Sequence, residues 1–185
     1  VVWARVLQVE PGRYDVAALV SNPNLHHGIA ALKYNIKILD RENLLISTRR
    51  GSAFVNPGED VLIFEGKVEV GRRVPARAVF SLDEPPVWQH FATPVLTPEV
   101  SNVAFTNNPA PSLTATLTNP SLTELKNFMV MGLLSDADYN AVAVSSTLVE
   151  ALAPGASGEV AFTWPKVLVP APVHFDIYPH VAPLP

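Results

Sequence analysis

Cysteine is absent from this chain of 185 residues, and its absence removes several kinds of chemistry. Without a thiol there is no disulfide, no thiolate metal centre and no cysteine nucleophile. The compartment stays open, because cytosolic proteins and surface proteins that fold without oxidation can both lack Cys. An Asn-x-Ser/Thr sequon with a permitted middle residue is also missing, which disfavours a eukaryotic glycoprotein.

Positive charge is scarce, with 13 Lys and Arg against 17 Asp and Glu. No Lys/Arg run interleaves with aromatic residues, so we expect no nucleic-acid binding. The longest uncharged stretch, residues 100–123, contains three prolines, and we expect no membrane span within this chain. The chain opens "VVWARV" with neither Met nor a basic segment, which is typical of a trimmed fragment and leaves room for a signal or anchor upstream of Val1.

Helical periodicity is lacking as well, and the hydrophobic pattern has a period of two instead. The segments "LKYNIKIL" (32–39), "SLTATLTN" (112–119) and "VPARAVFSL" (74–82) alternate apolar and polar residues, as half-buried strands do. The segment 141–152 is rich in Val and Thr and is also predicted to be a strand. The pattern indicates an all-β chain.

Two apolar runs, "ALVSNPN" (18–24) and "ATLTNPS" (115–121), both stop at Asn-Pro, 97 positions apart. The same offset aligns Pro57-Gly58 with Pro154-Gly155 and places Ile36 on Leu133. Pro cannot donate to a ladder and turns the preceding residue away from helix, so each Asn-Pro ends a strand. We interpret the offset as a tandem repeat.

The predicted fold is two tandem immunoglobulin-like β-sandwich domains. Each copy contains short alternating strands with frequent turn signals, and its length suits such a domain. The Pro85-Pro86 pair places the boundary between domain 1 (residues 1–85) and domain 2 (residues 86–185). An additional edge strand is expected near residues 100–107.

The run Ile36-Lys37-Ile38-Leu39-Asp40, together with "LVSNPN" before it and Pro57-Gly58-Glu59 after it, resembles the FxLYD-type and late-embryogenesis-abundant-type sandwich domains of bacterial envelope proteins. The resemblance covers residues 3–82, and it is weaker in the second copy, where "GLLSD" keeps the Asp without the aromatic positions. It implies an extracytoplasmic, non-catalytic module and carries over no catalytic residue.

Two segments of the second copy offer metal ligands. Asp136, Asp138 and Asn140 occupy positions 1, 3 and 5 of a calcium-type loop, but Ala141 and Thr147 stand where that loop needs Gly and Glu. An Asp/Asn turn is the preferred interpretation. Along "HFDIYPH" one face carries His174, Asp176, Tyr178 and His180, and the two histidines lie about 20 Å apart on a straight strand. A solvated polar face is therefore preferred to a zinc site.

In the first copy, His26 and His27 follow the Asn-Pro stop, in a loop that we interpret as surface with room for a contact site. The Glu59-Asp60 pair falls in a turn, where acids are common. No nucleophile elbow, triad order or phosphate loop is present in the sequence. Five arginines could form a basic face for an acidic partner, although exposed Arg on strands more often protects sheet edges; they are Arg49, Arg50, Arg72, Arg73 and Arg77.

From these patterns we expect a non-catalytic structural or interaction module of a bacterial cell envelope or surface protein, with a protein partner or self-association. We assign no catalytic residue, no cofactor and no metal ligand. Two alternatives stay open at this point. One is a subunit of a surface filament or layer that assembles through edge strands; the other is a calcium- or zinc-dependent adhesin or enzyme that uses domain 2.

Overall fold

A computed structural model describes residues 1–68, 70–92 and 95–183, and these residues form strands and no helix. The prediction of an all-β chain is therefore confirmed. No helix in this described part has the length and hydropathy that crossing a membrane would need. The strands are β1 (Trp3–Glu10), β2 (Arg13–Ser21), β3 (His27–Leu39), β4 (Leu45–Val55), β5 (Asp60–Val68), β6 (Arg77–Leu82), β7 (Trp88–His90), β8 (Glu99–Thr106), β9 (Ser112–Thr118), β10 (Leu125–Ser135), β11 (Ala141–Leu152), β12 (Ser157–Thr163) and β13 (His174–His180).

The chain divides into two compact units, Val1–Pro94 and Val95–Pro185. The first unit extends past the boundary predicted between residues 85 and 86. The reason is that β7 lies after the Pro pair and adds to the ladder of β3, with Trp88 opposite Ile29 and His90 opposite His27. Sheet pairing thus ties residues 88–90 to the first unit.

The first unit has two antiparallel sheets, with strand orders β1-β2-β5 and β4-β3-β6, and β7 also pairs with β3. One apolar cluster joins them, as the alternating pattern requires when each sheet buries one face. The Tyr34 hydroxyl crosses between the sheets and donates to Glu65 Oε1 at 2.8 Å. Burial, followed by this hydrogen bond, raises the pKa of Tyr34. The cluster includes Tyr14, Val16, Ala18, Val20, Ile29, Leu32, Ile36, Ile38, Val55, Val61 and Ile63.

The second unit repeats this plan, with strand orders β12-β9-β8 and β11-β10-β13. The alternation predicted for β9 is confirmed, because Leu113, Ala115 and Leu117 are buried between the sheets. The strand β8 occupies the place of β1 beside β9, so the edge strand expected near residues 100–107 is the counterpart of β1 rather than an addition. The buried cluster includes Leu113, Ala115, Leu117, Leu125, Phe128, Val130, Leu134, Ala143, Leu152, Val160, Phe162 and Trp164.

The offset between the units is not constant. Ile36 pairs with Phe80, and Gly132 pairs with Ile177. Because Phe80 and Ile177 are 97 apart while Ile36 and Gly132 are 96 apart, β3 corresponds to β10 with an offset of 96. The predicted correspondence of Ile36 with Leu133 is therefore wrong by one residue. Gly132 is the residue of β10 that corresponds to the buried Ile36.

A glycine fits this core position in the second unit because a larger neighbour fills the space. A Cβ on Gly132 would lie 3.0 Å from Phe162 Cγ and 3.1 Å from Leu113 Cδ2. In the first unit Glu65 occupies the position of Phe162, and Ile36 occupies the position of Gly132. There the side chain of Ile36 fills the space that the Phe162 ring fills in the second unit. The two cores thus reach close packing with different side chains.

The Asp residues at the ends of β3 and β10 close equivalent hairpin turns. Asp40 Oδ1 accepts the backbone N–H of Leu44 at 2.8 Å, and Asp136 Oδ1 accepts that of Asn140 at 2.8 Å. The residue three positions after each Asp has a left-handed backbone, with φ of 62° at Asn43 and 58° at Tyr139. Asn suits this conformation, whereas Tyr adopts it less readily.

Asp40 also forms an ion pair with Arg73 and is largely covered by its surroundings. Burial raises the pKa of this carboxyl, but the hydrogen bonds from Arg73 and from the Leu44 backbone outweigh burial and hold the pKa below its ordinary value of 3.8. The carboxylate therefore stabilises the first unit above that pH, and the contribution is lost as the pH falls through the lowered pKa.

We expect the stability difference between the parent chain and Asp40→Asn to be largest near neutral pH and to close as the pH falls through the lowered pKa of Asp40. Denaturant unfolding at several pH values measures this difference, and Asp60→Asn at an exposed position is the control. A gap of constant size across the pH range would contradict a role for the ionised carboxylate.

Candidate functional site

A buried asparagine holds the corner where β2 ends in the first unit. Asn22 is only 3% exposed, and its Nδ2 donates to the carbonyl oxygens of His27 (2.7 Å) and Asn56 (2.9 Å). Its Oδ1 accepts the backbone N–H of Asn24 at 3.1 Å. The side chain thereby bonds to backbone groups at both ends of the segment 22–27 and to the buried Asn56 carbonyl oxygen.

Asn119 makes the same corner in the second unit. It is fully buried, and its Nδ2 lies 2.8 Å from Thr123 O, 2.9 Å from Leu152 O and 3.3 Å from Ala153 O. Its Oδ1 accepts the backbone N–H of Ser121 at 3.1 Å. Each Asn-Pro therefore marks the same buried corner of one unit.

The loops after the two corners differ in length and in chemistry. Asn22 bonds to the carbonyl five residues on, and Asn119 to the carbonyl four residues on. The first loop thus holds one more residue between Asn24 and His27. Two residues, Leu25 and His26, precede His27 in the first loop, whereas only Leu122 precedes Thr123 in the second.

We define the histidine patch of the first unit as Leu25, His26, His27, Trp88 and His90. The patch forms because β7 runs antiparallel to the start of β3 and sets His90 directly opposite His27. The His90 ring meets that of His27 edge to face, with centroids 5.4 Å apart, and that of His26 in a stack, with centroids 6.4 Å apart. The backbone N–H of Phe91 donates to His26 O at 2.8 Å and continues the pairing of the two segments beyond His27 and His90.

The patch is exposed and mixes apolar area with imidazoles. Leu25 is 75% exposed and Trp88 is 47% exposed, and all three histidines are exposed. Large exposed aromatic residues beside groups that can donate and accept hydrogen bonds are typical of protein contact surfaces. The patch is therefore a candidate contact surface.

Trp88 and His90 were not anticipated from the sequence as site residues. "WQH" follows the Pro pair and lies more than 60 residues after "HH", so no local spacing relates the two segments. The available signal was weak: Trp88 and His90 alternate with Gln89 as strand residues do. Only the pairing with β3 brings the three histidines together.

The Asp136 turn forms the hairpin that the sequence predicts. Asp136 Oδ1 accepts the backbone N–H groups of Asp138 (3.0 Å) and Asn140 (2.8 Å), and Asn140 Nδ2 donates to Asp136 Oδ2 at 3.2 Å. The carboxylate thus accepts hydrogen bonds from within its own turn, backbone N–H groups at Oδ1 and the Asn140 side chain at Oδ2. Across residues 1–68, 70–92 and 95–183, no three His, Cys, Asp or Glu side chains are grouped as ligands of one metal ion.

The predicted face of β13 is only partly solvated. Asp176 is exposed, whereas His174, Tyr178 and His180 are half-buried. The Tyr139 ring stacks on His174 with centroids 3.9 Å apart and joins this face to the Asp136 turn. The two histidines pair with Ser135, the last residue of β10, and with Met129, six residues earlier, so the strand separates them as expected.

The five candidate arginines have different surroundings. Arg73 donates to Asp40 and to Leu45 O, at 2.8 Å in the latter case. Arg49 reaches Lys67 O at 3.4 Å, and Arg50 is exposed on β4. Arg72 lies in the loop before β6, and Arg77 begins β6. Arg73 serves the Asp40 turn, so it is not available to a basic face.

A shallow open depression of about 670 Å³ lies beside the β1–β2 turn, with Arg13 and Lys67 on its rim. Arg13 pairs with Glu10 at 2.7 Å, and Asp15 Oδ1 accepts the Lys67 backbone N–H at 2.9 Å. Burial, opposed by this hydrogen bond and by Arg13, raises the pKa of Asp15. The two charged residues that line the depression are both cationic, and one of them, Arg13, is paired with Glu10.

Compared with known proteins, the sequence matches no protein-family model and no curated protein. The resemblance to FxLYD-type domains thus stays a prediction. What the chain does show is an all-β, sandwich-like architecture with an exposed histidine patch on its first unit.

Proposed function

We propose that this chain is a non-catalytic interaction module of a bacterial envelope or surface protein, built as two tandem immunoglobulin-like domains of FxLYD type. In this proposal the first domain docks a protein partner through the histidine patch, and the second domain serves as a repeat of the scaffold. The matching sheet orders of the two units support the tandem arrangement. The extracytoplasmic location rests on the resemblance of residues 3–82.

One contrast carries the proposal. The buried Asn corner, the Asp turn and the strand orders occur in both units, as a common folding plan requires. The segment Leu25-His26-His27 does not recur, since the second loop has only Leu122-Thr123 at the corresponding place and is one residue shorter. Features that recur serve the fold, whereas the exposed segment that differs is free to serve binding.

A pair of matched positions tests the proposal. Leu25 and Leu122 occupy the same loop in the two units and are 75% and 96% exposed. A photo-crosslinking benzoylphenylalanine is placed at either position in the full-length protein in its native cells. We expect a discrete protein adduct from position 25 and none from position 122. Equal adducts from both positions, or none from position 25, would refute docking at the patch.

A further inference from the structure

We propose that His27 and His90 form a two-histidine binding site for a divalent transition-metal ion of the zinc and copper class. The two residues are direct cross-strand partners in the β3–β7 ladder, so their side chains leave the same face of the sheet. Their ring centroids lie 5.4 Å apart. This inference concerns the isolated chain and does not depend on the docking of a protein partner.

The separation of the rings matches what a shared ion requires. A zinc–imidazole bond is about 2.0–2.1 Å long, and the ring centre lies about 1.1 Å beyond the nitrogen. Two imidazoles on one ion at angles between square and tetrahedral therefore have centroids about 4.5–5.2 Å apart. The His27–His90 distance exceeds the upper end of this range by only about 0.2 Å. Rotation about the side-chain torsions therefore suffices to aim both nitrogens at one point.

His26 is excluded from the proposed pair by its geometry. Its ring stacks on His90 at a centroid distance of 6.4 Å, beyond the range for two ligands on neighbouring coordination positions. Its position next to His27 along the chain also directs the two side chains apart. The ion is then held by two protein nitrogens, and water completes its coordination.

The backbone around the pair is already fixed, which lowers the cost of binding. Asn22 Nδ2 holds the His27 carbonyl at 2.7 Å, and the Phe91 N–H holds the His26 carbonyl at 2.8 Å. Only exposed side chains need to reorient. Two imidazoles with water give a weaker site than a closed four-ligand centre, and we expect a Kd on the order of 10 µM for Zn²⁺.

Calorimetric titration of the tag-free full chain with Zn²⁺ at about pH 7.5 tests the inference, because the ligating imidazoles must be neutral. We expect one ion per chain, and a loss of affinity of at least about tenfold in His27→Gln and in His90→Gln. The matched controls His26→Gln and His180→Gln should change the affinity by less than about threefold. Circular dichroism of each variant checks that the fold is kept.

Electron paramagnetic resonance of bound Cu²⁺ supplies a second readout. It counts the nitrogen ligands directly, so it distinguishes the loss of a ligand from misfolding of the variant. We expect hyperfine splitting from two imidazole nitrogens in the parent chain and from one in His90→Gln. Absence of binding up to about 1 mM Zn²⁺ would overturn the proposal. A loss of affinity of about tenfold in His26→Gln or His180→Gln would overturn the assignment of the ligands.

Discussion

Asn119→Ala is expected to lower the free energy of unfolding of the second unit by about 3 to 4 kcal/mol. The side chain is fully buried, and its Nδ2 serves the carbonyl oxygens of Thr123, Leu152 and Ala153. Alanine removes this donor and leaves the Ser121 N–H without its acceptor, while Thr123 O still accepts from Ser121 Oγ. Ala153 O still accepts from the Ala156 N–H, so Leu152 O loses most. Each buried polar group left unpaired costs about 1 to 3 kcal/mol.

Denaturant unfolding, followed by hydrogen exchange of peptides from β9 and β10, measures this loss in the second unit. Leu122→Ala is the matched control, since this neighbour in the loop is 96% exposed and should change stability by less than about 0.5 kcal/mol. Asn22→Ala should destabilise the first unit by a smaller amount, because its Nδ2 serves two carbonyl oxygens. If Asn119→Ala cost no more than Leu122→Ala, the corner would not be a folding element.

Gly28→Ala is expected to destabilise the first unit by about 2 to 3 kcal/mol. A Cβ at this position would lie 2.7 Å from Val55 O, 2.8 Å from Phe91 Cε2 and 3.1 Å from Pro57 Cδ. The nearest of these atoms belongs to the backbone of β4, so a side-chain rotation cannot relieve the contact. The strand β3 would have to move away from β4 at the point where it carries His27.

Gly66→Ala in β5 is the control for this substitution. A Cβ there meets its nearest atom, Asp15 Oδ1, at an ordinary 3.5 Å, so the change should stay within about 0.5 kcal/mol or stabilise. Thermal unfolding of the two variants under one condition gives the comparison. A Gly28→Ala chain as stable as Gly66→Ala would show that β3 and β4 separate without cost at this end.

Much of the strand structure could be predicted from local patterns. In residues 32–38 of β3 and in β9 every second residue is apolar, and the structure buries these residues between two sheets. The Asn-Pro stops mark strand ends because of properties that Pro and its predecessor carry in any context. Asp136 and its partners likewise form a turn through bonds to their own backbone.

The candidate site could not be predicted in this way. The patch depends on β7, which has three residues and pairs with a segment about 60 positions earlier. A strand this short has no readable period, and long-range pairing leaves no local trace. The single-residue difference between the two loops was also not predictable from local patterns. It places β3 and β10 at an offset of 96 residues, whereas the Asn-Pro and Pro-Gly pairs of the two units are 97 residues apart.

The central claim is that the repeated corner serves the fold and the unrepeated loop serves binding. The double variant His26→Ser/His27→Thr tests it most directly. Thr is the residue that the second unit has at the position of His27, and the bond from Asn22 is to the backbone carbonyl of His27, so the substitution keeps it. The Leu25 crosslinking experiment is repeated in this variant, with unfolding measured in parallel. We expect the adduct to be lost while the first unit keeps its stability within about 1 kcal/mol. An adduct that persists, or a loss of stability as large as that of Asn22→Ala, would contradict the claim.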